Sequence, residues 1–468
     1  MILFTIILTA VLGLMSGFFS FKKRNTLCAF VIVSEAIVSA LCIMAAIGEE
    51  AAETYGKGFF ALSFECDTLS RIMCLLIGFG WLLCAVFSSV YMKHETREGS
   101  FYCFMLLAEA FSLGVVFAAD LTTLYLMFEA TTLLSMPLVL HNRKNDSVNA
   151  AKTYLFYSLG GAFTALLGMA LIYTDINDFS FAAGGAADVA LSPFALLGVF
   201  LCVTGFGAKA GMFPLHAWLP TAHPVAPAPA SALLSGLITK SGVVAIIRVI
   251  YYVAGTKQLT GTWVQNTLLV LSLLTVLMGS VLALRENELK KRLAYSSVSQ
   301  ISYVLTGLFV MCDTAYDGAL IQIIFHASAK IGLFLCAGAL IYLTGKKNTE
   351  DYVGLGNRYP VIMWCFTLLS LSLIGIPPFG GFFSKWNIAV GALSALDGWM
   401  AYAVPTVLLI SALYTAGYLL PVSVKAFFPG KNFELKASKN DKEPLAFTLP
   451  LLILSAFVLV GGVLCNMI

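Results

Sequence analysis

The chain has 468 residues, of which 59% are hydrophobic and only 11% charged, with a mean hydropathy of +0.89. A soluble domain carries about 25% charged residues, so a soluble enzyme is excluded. The net charge of +3 is too small for a nucleic-acid footprint. Apolar runs of about 20 residues, enough to cross a bilayer's hydrocarbon, recur along the whole length. They fall at 1–20, 26–47, 69–92, 101–119, 120–140, 152–174, 193–212, 231–254, 264–284, 293–312, 318–343, 360–395 (interrupted), 400–421 and 447–467. The expected fold is an all-α polytopic membrane protein of about 14 transmembrane helices.

The first run, MILFTIILTAVLGLMSGFFS, has no basic stretch before its apolar core and KKRN after it, so it reads as a retained span rather than a cleaved signal. Counting Arg71 and Lys152, at span ends, with the adjoining loops, the loops after odd-numbered spans hold 20 of the 28 lysines and arginines, and the loops after even-numbered spans hold three. By the positive-inside rule the odd loops are cytoplasmic and both termini face outward. The eleven cysteines form no CxxC pair and sit mostly inside spans, so they read as small packing residues. No phosphate-binding glycine loop is present. No metal, cofactor or redox centre is expected in the chain itself.

Apart from Arg71, Asp120 and Lys152 at span ends, the charged groups and histidines left within the spans are few: Glu35, Glu109, Glu129, Lys209, Lys240, Arg248, His326, Lys330 and Lys385. A charge at the bilayer centre costs roughly 3 kcal/mol on insertion scales, so each is a functional candidate. Glu109, Glu129 and Lys240 lie near the middle of their spans. His326 and Lys330, in IIFHASAKIGLF, are four residues apart and share a helical face. Arg248, near the outer end of span eight, reads as an anchor snorkelling to the interface. Glu35 stands alone and reads as a structural hydrogen-bonding group.

Two spans look broken. Span seven ends in GFGAKAGMFP around Lys209, and span twelve carries IGIPPFGGFFSK before and at Lys385. Glycine and proline interruptions at matching places mark ion or substrate sites in inverted-repeat transporters. Spans seven and twelve differ by an odd number, so they enter from opposite sides. Spans 4–8 and 9–13 then form two inverted five-helix repeats, with boundaries at 1–100, 101–255, 256–421 and 422–468. Unwound backbone frees carbonyls and admits water, which lowers the cost of an ammonium group. A carboxylate roughly 5 Å away would contribute about 3 kcal/mol, and its withdrawal would favour proton release.

Three stretches carry a family resemblance: LYLMFEATTLLSMPLVL, FGAKAGMFPLHAWLPTAHPVAPAPASALLSGLITKSG, and KRLAYSSVSQISY with the later HASAKIGLFLCAGA and GIPPFGGFFSKW. Over roughly residues 100–400 the chain resembles the antiporter-like subunits shared by respiratory complex I, membrane-bound hydrogenases and Mrp-type cation/proton antiporters. The resemblance implies a proton relay in which Glu129 pairs with Lys209 and Lys240 is central. His326 and Lys330 extend it, and Lys385 is the exit-side site. Glu109 would be a secondary acid. His216 and His223 are either polar caps on broken helix ends or proton-entry groups. Gln300 stands where several complex I subunits carry histidine and the Mrp branch often has glutamine, whereas the loop AHPVAPAPASALLSG is most similar to the hydrogenase branch.

The function expected is that of a proton-translocating subunit of a multisubunit complex in a prokaryotic cytoplasmic membrane. The implied partners are homologous antiporter-like and small membrane subunits, peripheral iron–sulfur, hydrogenase or dehydrogenase subunits, and the lipid bilayer, with no nucleic acid. The chain would serve as the ion-pumping part of an oxidoreductase (a translocase). The main rival is an Mrp-type Na⁺/H⁺ antiporter subunit driven only by ion gradients. A small-solute transporter and a structural subunit with a vestigial relay are further alternatives.

Overall fold

In hydrocarbon a backbone has no hydrogen-bond partner but itself, and helices form over all fourteen apolar runs. The computed structural model describes residues 1–19, 21, 23–48, 52–57, 61–186, 189–430 and 442–465. Part of the loop expected after span thirteen, 431–441, lies outside the described residues, as do Lys22, Lys431, Lys436 and Lys439. Among the described residues, twelve helices are long and apolar enough to cross a membrane, and Ile2–Phe18 and Pro360–Ile374 are shorter apolar helices.

The first compact unit comprises Met1–Ala85, Glu95–Trp218 and Leu237–Leu268. It contains α1 (Ile2–Phe18), α2 (Arg24–Ile47), most of α3 (Thr68–Tyr91), α4 (Glu98–Phe117), α5 (Leu121–Val139), α6 (Asn145–Ile172), α7 (Pro193–Ala210) and α10 (Thr239–Ile247). A small antiparallel hairpin, β1 (Glu53–Tyr55) with β2 (Leu62–Phe64), departs from the all-helical expectation and pairs Thr54 with Ser63. Within this unit α4 packs between α1 and α5, and α7 packs on α6 and α10.

The second unit comprises Val86–His94, Leu219–Gly236 and Leu269–Ile468. Its helices include most of α8 (Trp218–Val225), α9 (Ala228–Leu233), most of α12 (Trp263–Arg285), α13 (Leu289–Val310), α14 (Asp313–Thr344), the short α15 (Leu355–Arg358), α16 (Pro360–Ile374), α17 (Gly380–Ala395), α18 (Gly398–Phe427) and α19 (Leu445–Cys465), while the short α11 (Thr256–Leu259) belongs to the first unit. The long α14 is its axis: α9, α13, α16, α17 and α19 all pack on it. That arrangement leaves α14 almost wholly buried around His326 and Lys330.

Both expected breaks are present. Helix α7 starts on Ser192, whose Oγ accepts the Ala195 N–H, with Pro193 in the first turn. It stops at Gly211, whose φ of 85° is left-handed, and Met212 N–H closes back on the Gly207 carbonyl at 2.9 Å. Helix α16 stops in the same way at Gly375, φ 88°, before Pro377 and Pro378, and α17 resumes at Gly380. A feature outside the expected pattern lies ahead of Lys240: Leu234–Ile238 is π-helical. Such widened turns occur inside α-helices frequently at functional sites.

Candidate functional site

In the first unit, α5 is fixed at its start by Asp120, whose carboxylate accepts the Thr123 N–H and hydroxyl, each at 2.7 Å. Two turns on, Glu129 is half-buried, beside Tyr125 and within electrostatic reach of Lys209. Lys209, in the last turn of α7, is fully buried. Its Nζ donates to Thr132 Oγ1 and lies 4.8 Å from the Phe128 ring and 6.0 Å from that of Tyr154. Thr132 is one turn past Glu129 on the same helix, so the amine is bonded to a hydroxyl beside the carboxylate and not to the carboxylate itself. Tyr154 in turn shares a 2.7 Å hydrogen bond with Ser135. Lys240 is 1% exposed. Its helix meets the end of α7 at Gly242, where an added Cβ would lie 2.6 Å from the Phe206 carbonyl and 3.4 Å from Lys209 Cβ.

In the second unit, His326 and Lys330 occupy successive turns of α14 and are buried. Lys330 Nζ donates to the Leu293 carbonyl at 2.9 Å and to Ser296 Oγ, both on α13. Ser297 hydrogen-bonds the same carbonyl at 2.9 Å and meets Ser235 Oγ at 2.6 Å. Lys385, early in α17, donates to the carbonyls of Leu373 and Ile374 at 2.7 and 2.8 Å. Those are the open carbonyls at the end of α16, the negative pole of that helix. Its ammonium also sits 4.9 Å over the Tyr303 ring. Sequence reasoning missed the amide and hydroxyl chain alongside. Gln322 donates to Gln300 at 3.0 Å and accepts from Ser384, and Gln300 reaches Thr415 Oγ1 at 3.5 Å. Gln300 had stood out only as a branch marker. Its buried neighbours Ser296, Ser297, Ser299 and Ser302 on one helix were the available signal.

The family described as NADH:quinone oxidoreductase/Mrp antiporter, TM, matches residues 118–411, well over half of the chain. The chain belongs to this family. NADH-quinone oxidoreductase subunit N of Desulforudis audaxviator is 32% identical over 460 residues, covering 91% of this chain and 89% of that protein. Hydrogenase-4 component B of Escherichia coli is 29% identical, covering 85% of this chain and 62% of that one. A subunit of the Mrp complex from a Dietzia species superposes with a TM-score of 0.86 at 22% identity, over 100% of this chain and 95% of its own, which shows the shared fold. Family membership thus makes the protein an antiporter-like, multi-pass membrane subunit. Glu129, Lys209, Lys240, His326, Lys330 and Lys385 all fall within the family match, whereas Glu35, Asp67 and Glu109 precede it.

The two loop histidines of this family member differ in setting. His216 is half-buried and stacks on Phe213, with ring centroids 5.9 Å apart. His223, on α8, is fully buried and stacks on Phe334 of α14 at 4.7 Å.

Arg248 departs from its expected role. It is 2% exposed and makes a bidentate pair with Asp67, Nη1 to Oδ2 at 2.6 Å and Nη2 to Oδ1 at 2.9 Å. Nη2 also donates to Ser70 Oγ at 3.1 Å, and the guanidinium lies over the Tyr252 and Phe181 rings at 4.5 and 4.8 Å. It is therefore an internal tie between α3's start and the helix bearing Lys240, not an interface anchor. The pair walls a cavity of about 260 Å³ shared with Glu65 and Thr68. Asp67 precedes α3; burial acts to raise its pKa, but the hydrogen bonds and charge of Arg248 hold it below the ordinary value. Arg248→Ala should cost roughly 3 kcal/mol, because it strands a half-buried carboxylate, and Arg248→Lys should not restore the fork. The pair's contribution is full above about pH 4, the unfolded value, and is lost as pH falls through the lower folded one. Thermal unfolding in detergent across pH reads both effects. An Arg248→Ala protein with wild-type stability at neutral pH would refute them.

Proposed function

We propose that the chain is a proton-translocating subunit of a multisubunit complex of the cytoplasmic membrane. Protons enter from the cytoplasmic side and leave outward, with both termini outside as the lysine and arginine distribution indicates. The route uses Glu129, Lys209 and Lys240 in the first unit and His326, Lys330 and Lys385 in the second. In this reading spans 4–8 and 9–13 are inverted repeats, each with one broken helix. The energy source is electron transfer in partner subunits, a reading supported by the similarity to an NADH-quinone oxidoreductase subunit and a hydrogenase component.

One observation carries the reading: Lys209, Lys330 and Lys385 donate to neutral oxygens of hydroxyls and carbonyls. An ammonium locked to a carboxylate leaves a bare buried anion behind when it gives up its proton. An amine held by neutral acceptors does not, and its remaining N–H groups still donate to the same oxygens. The break next to Lys385 supplies its oxygens from the end of α16, whereas Lys209 takes a side-chain hydroxyl of α5 and Lys330 a carbonyl and a hydroxyl of α13.

The test is proton movement by the purified native assembly in proteoliposomes, followed with a pH-sensitive dye. Lys240→Ala should lower the rate on the order of a hundredfold, the scale of losing a positioned proton-transfer group, with normal assembly. Wild-type rates in that variant would overturn the relay. Iron–sulfur EPR signals in the same assembly support a redox-driven complex, and their absence with Na⁺-dependent proton movement would replace it by the gradient-driven antiporter.

A further inference from the structure

The first unit buries a second pair of ionisable groups that the route above does not use. Glu35 on α2 and Glu109 on α4 are both fully buried, and their carboxyl groups lie close enough to act directly on each other. Helix α3 is bonded to both helices. Ser39, one turn past Glu35, donates to the Gly78 carbonyl of α3 at 2.9 Å, and Trp81 of α3 donates through Nε1 to the Met105 carbonyl, one turn before Glu109, at 3.1 Å. Ser39 also bonds the Glu35 carbonyl at 2.7 Å. Both helices are thus tied to α3 within one turn of each glutamate.

Among the described residues, no donor reaches any of the four carboxyl oxygens. Among the described residues, no lysine, arginine or histidine is hydrogen-bonded or ion-paired to either group; the other titratable groups near them are thiols, Cys42 on α2 and Cys84 on α3. Two carboxylates are acceptors only, so as anions they would meet acceptor to acceptor, with no counter-charge and no water-facing edge. One proton removes the conflict: the acid hydroxyl of one glutamate donates to the carboxylate of the other, and a carboxyl pair sharing a proton is the settled form of such a site.

We propose that Glu35 and Glu109 form a proton-binding site of the first unit that retains at least one proton at neutral pH. The singly protonated pair carries one negative charge. Uptake of a second proton from hydronium yields water and two neutral acids, and its release restores the hydrogen-bonded anion. Neither Glu129 nor Lys209 is hydrogen-bonded to it.

Infrared spectroscopy of the purified native assembly in bilayers at neutral pH tests this directly. The difference between wild type and the double variant Glu35→Gln/Glu109→Gln should contain one protonated-acid carbonyl band that shifts in D₂O. Each single glutamine variant should keep one such band at a changed frequency, and Glu129→Gln should leave it in place. A difference spectrum showing only lost carboxylate bands overturns the proposal, as does a band unmoved by either single variant. If the double variant fails to accumulate, the two single variants carry the test alone. The readout does not depend on transport, so an assembly that moves no protons would still show the band.

Discussion

Lys209→Met is expected to reduce proton translocation by on the order of a hundredfold while leaving the assembly intact. The apolar replacement fills the space between Phe128 and Tyr154, where the amine now lies 4.8 and 6.0 Å from the ring centres. What it cannot do is hold a proton. Thr132 supplies the finer test, because its hydroxyl is the oxygen that receives the amine. Thr132→Val preserves shape and removes that acceptor. A buried donor left without a partner costs about 1–3 kcal/mol, or roughly a tenfold change in rate if the loss falls on the charged state. Thr132→Ser should restore the rate. The same proteoliposome dye assay measures all three variants, with the amount of assembled complex as the control. Wild-type translocation by Lys209→Met, or equal rates for Thr132→Val and Thr132→Ser, would remove Lys209 from the proton path.

The contrast between Lys209 and Arg248 shows where sequence reading succeeds and where it stops. Gly205, Gly207, Gly211 and Pro214 around Lys209 disclosed a helix about to break, because glycine and proline act through local backbone geometry. The same holds for Gly375, Pro377 and Pro378 ahead of Lys385. Which oxygen meets the amine is a different matter. Glu129 was the expected partner by charge, yet Thr132, one turn along, lies on the side of α5 that reaches Lys209. Arg248 and Asp67 are 181 residues apart, and Asp67 lies just before span three, outside the groups found within spans. Nothing local to either residue announces the other. Glu35 and Glu109 repeat the lesson: each was visible as a buried acid, and only packing places them together. The π-helical turn ahead of Lys240 has no composition signal in LSGLI. Likewise Lys290 and Arg292, which lie between expected spans nine and ten, are buried and bonded to the Ala226 and Tyr418 carbonyls.

Two adjacent glycines on α6 should respond to substitution in opposite ways. In lipid, apolar side chains gain nothing by leaving one another's company for the bilayer, so helix pairs rely on close backbone contact through small residues. Gly161 and Gly168 on α6 face Gly205 and Gly198 on α7, seven residues apart on each helix and in reversed order, as antiparallel neighbours require. A Cβ at Gly161 would lie 2.5 Å from the Gly205 carbonyl oxygen, and one at Gly205 would lie 2.4 Å from that of Gly161. Both obstacles are backbone, so the helices themselves must separate. Gly205 is one turn before Lys209, and separation there also moves the amine off Thr132. Gly161→Val is therefore expected to cost roughly 3 kcal/mol or more, seen as lost accumulation or a lowered unfolding temperature, with Gly161→Ala intermediate. A Cβ at Gly160 would meet nothing within 4 Å. Gly160→Ala should hold or raise the unfolding temperature, since alanine in a helix interior is favoured over glycine by about 1 kcal/mol. Equal effects at 160 and 161 would mean that the α6–α7 contact does not set the position of the Lys209 turn.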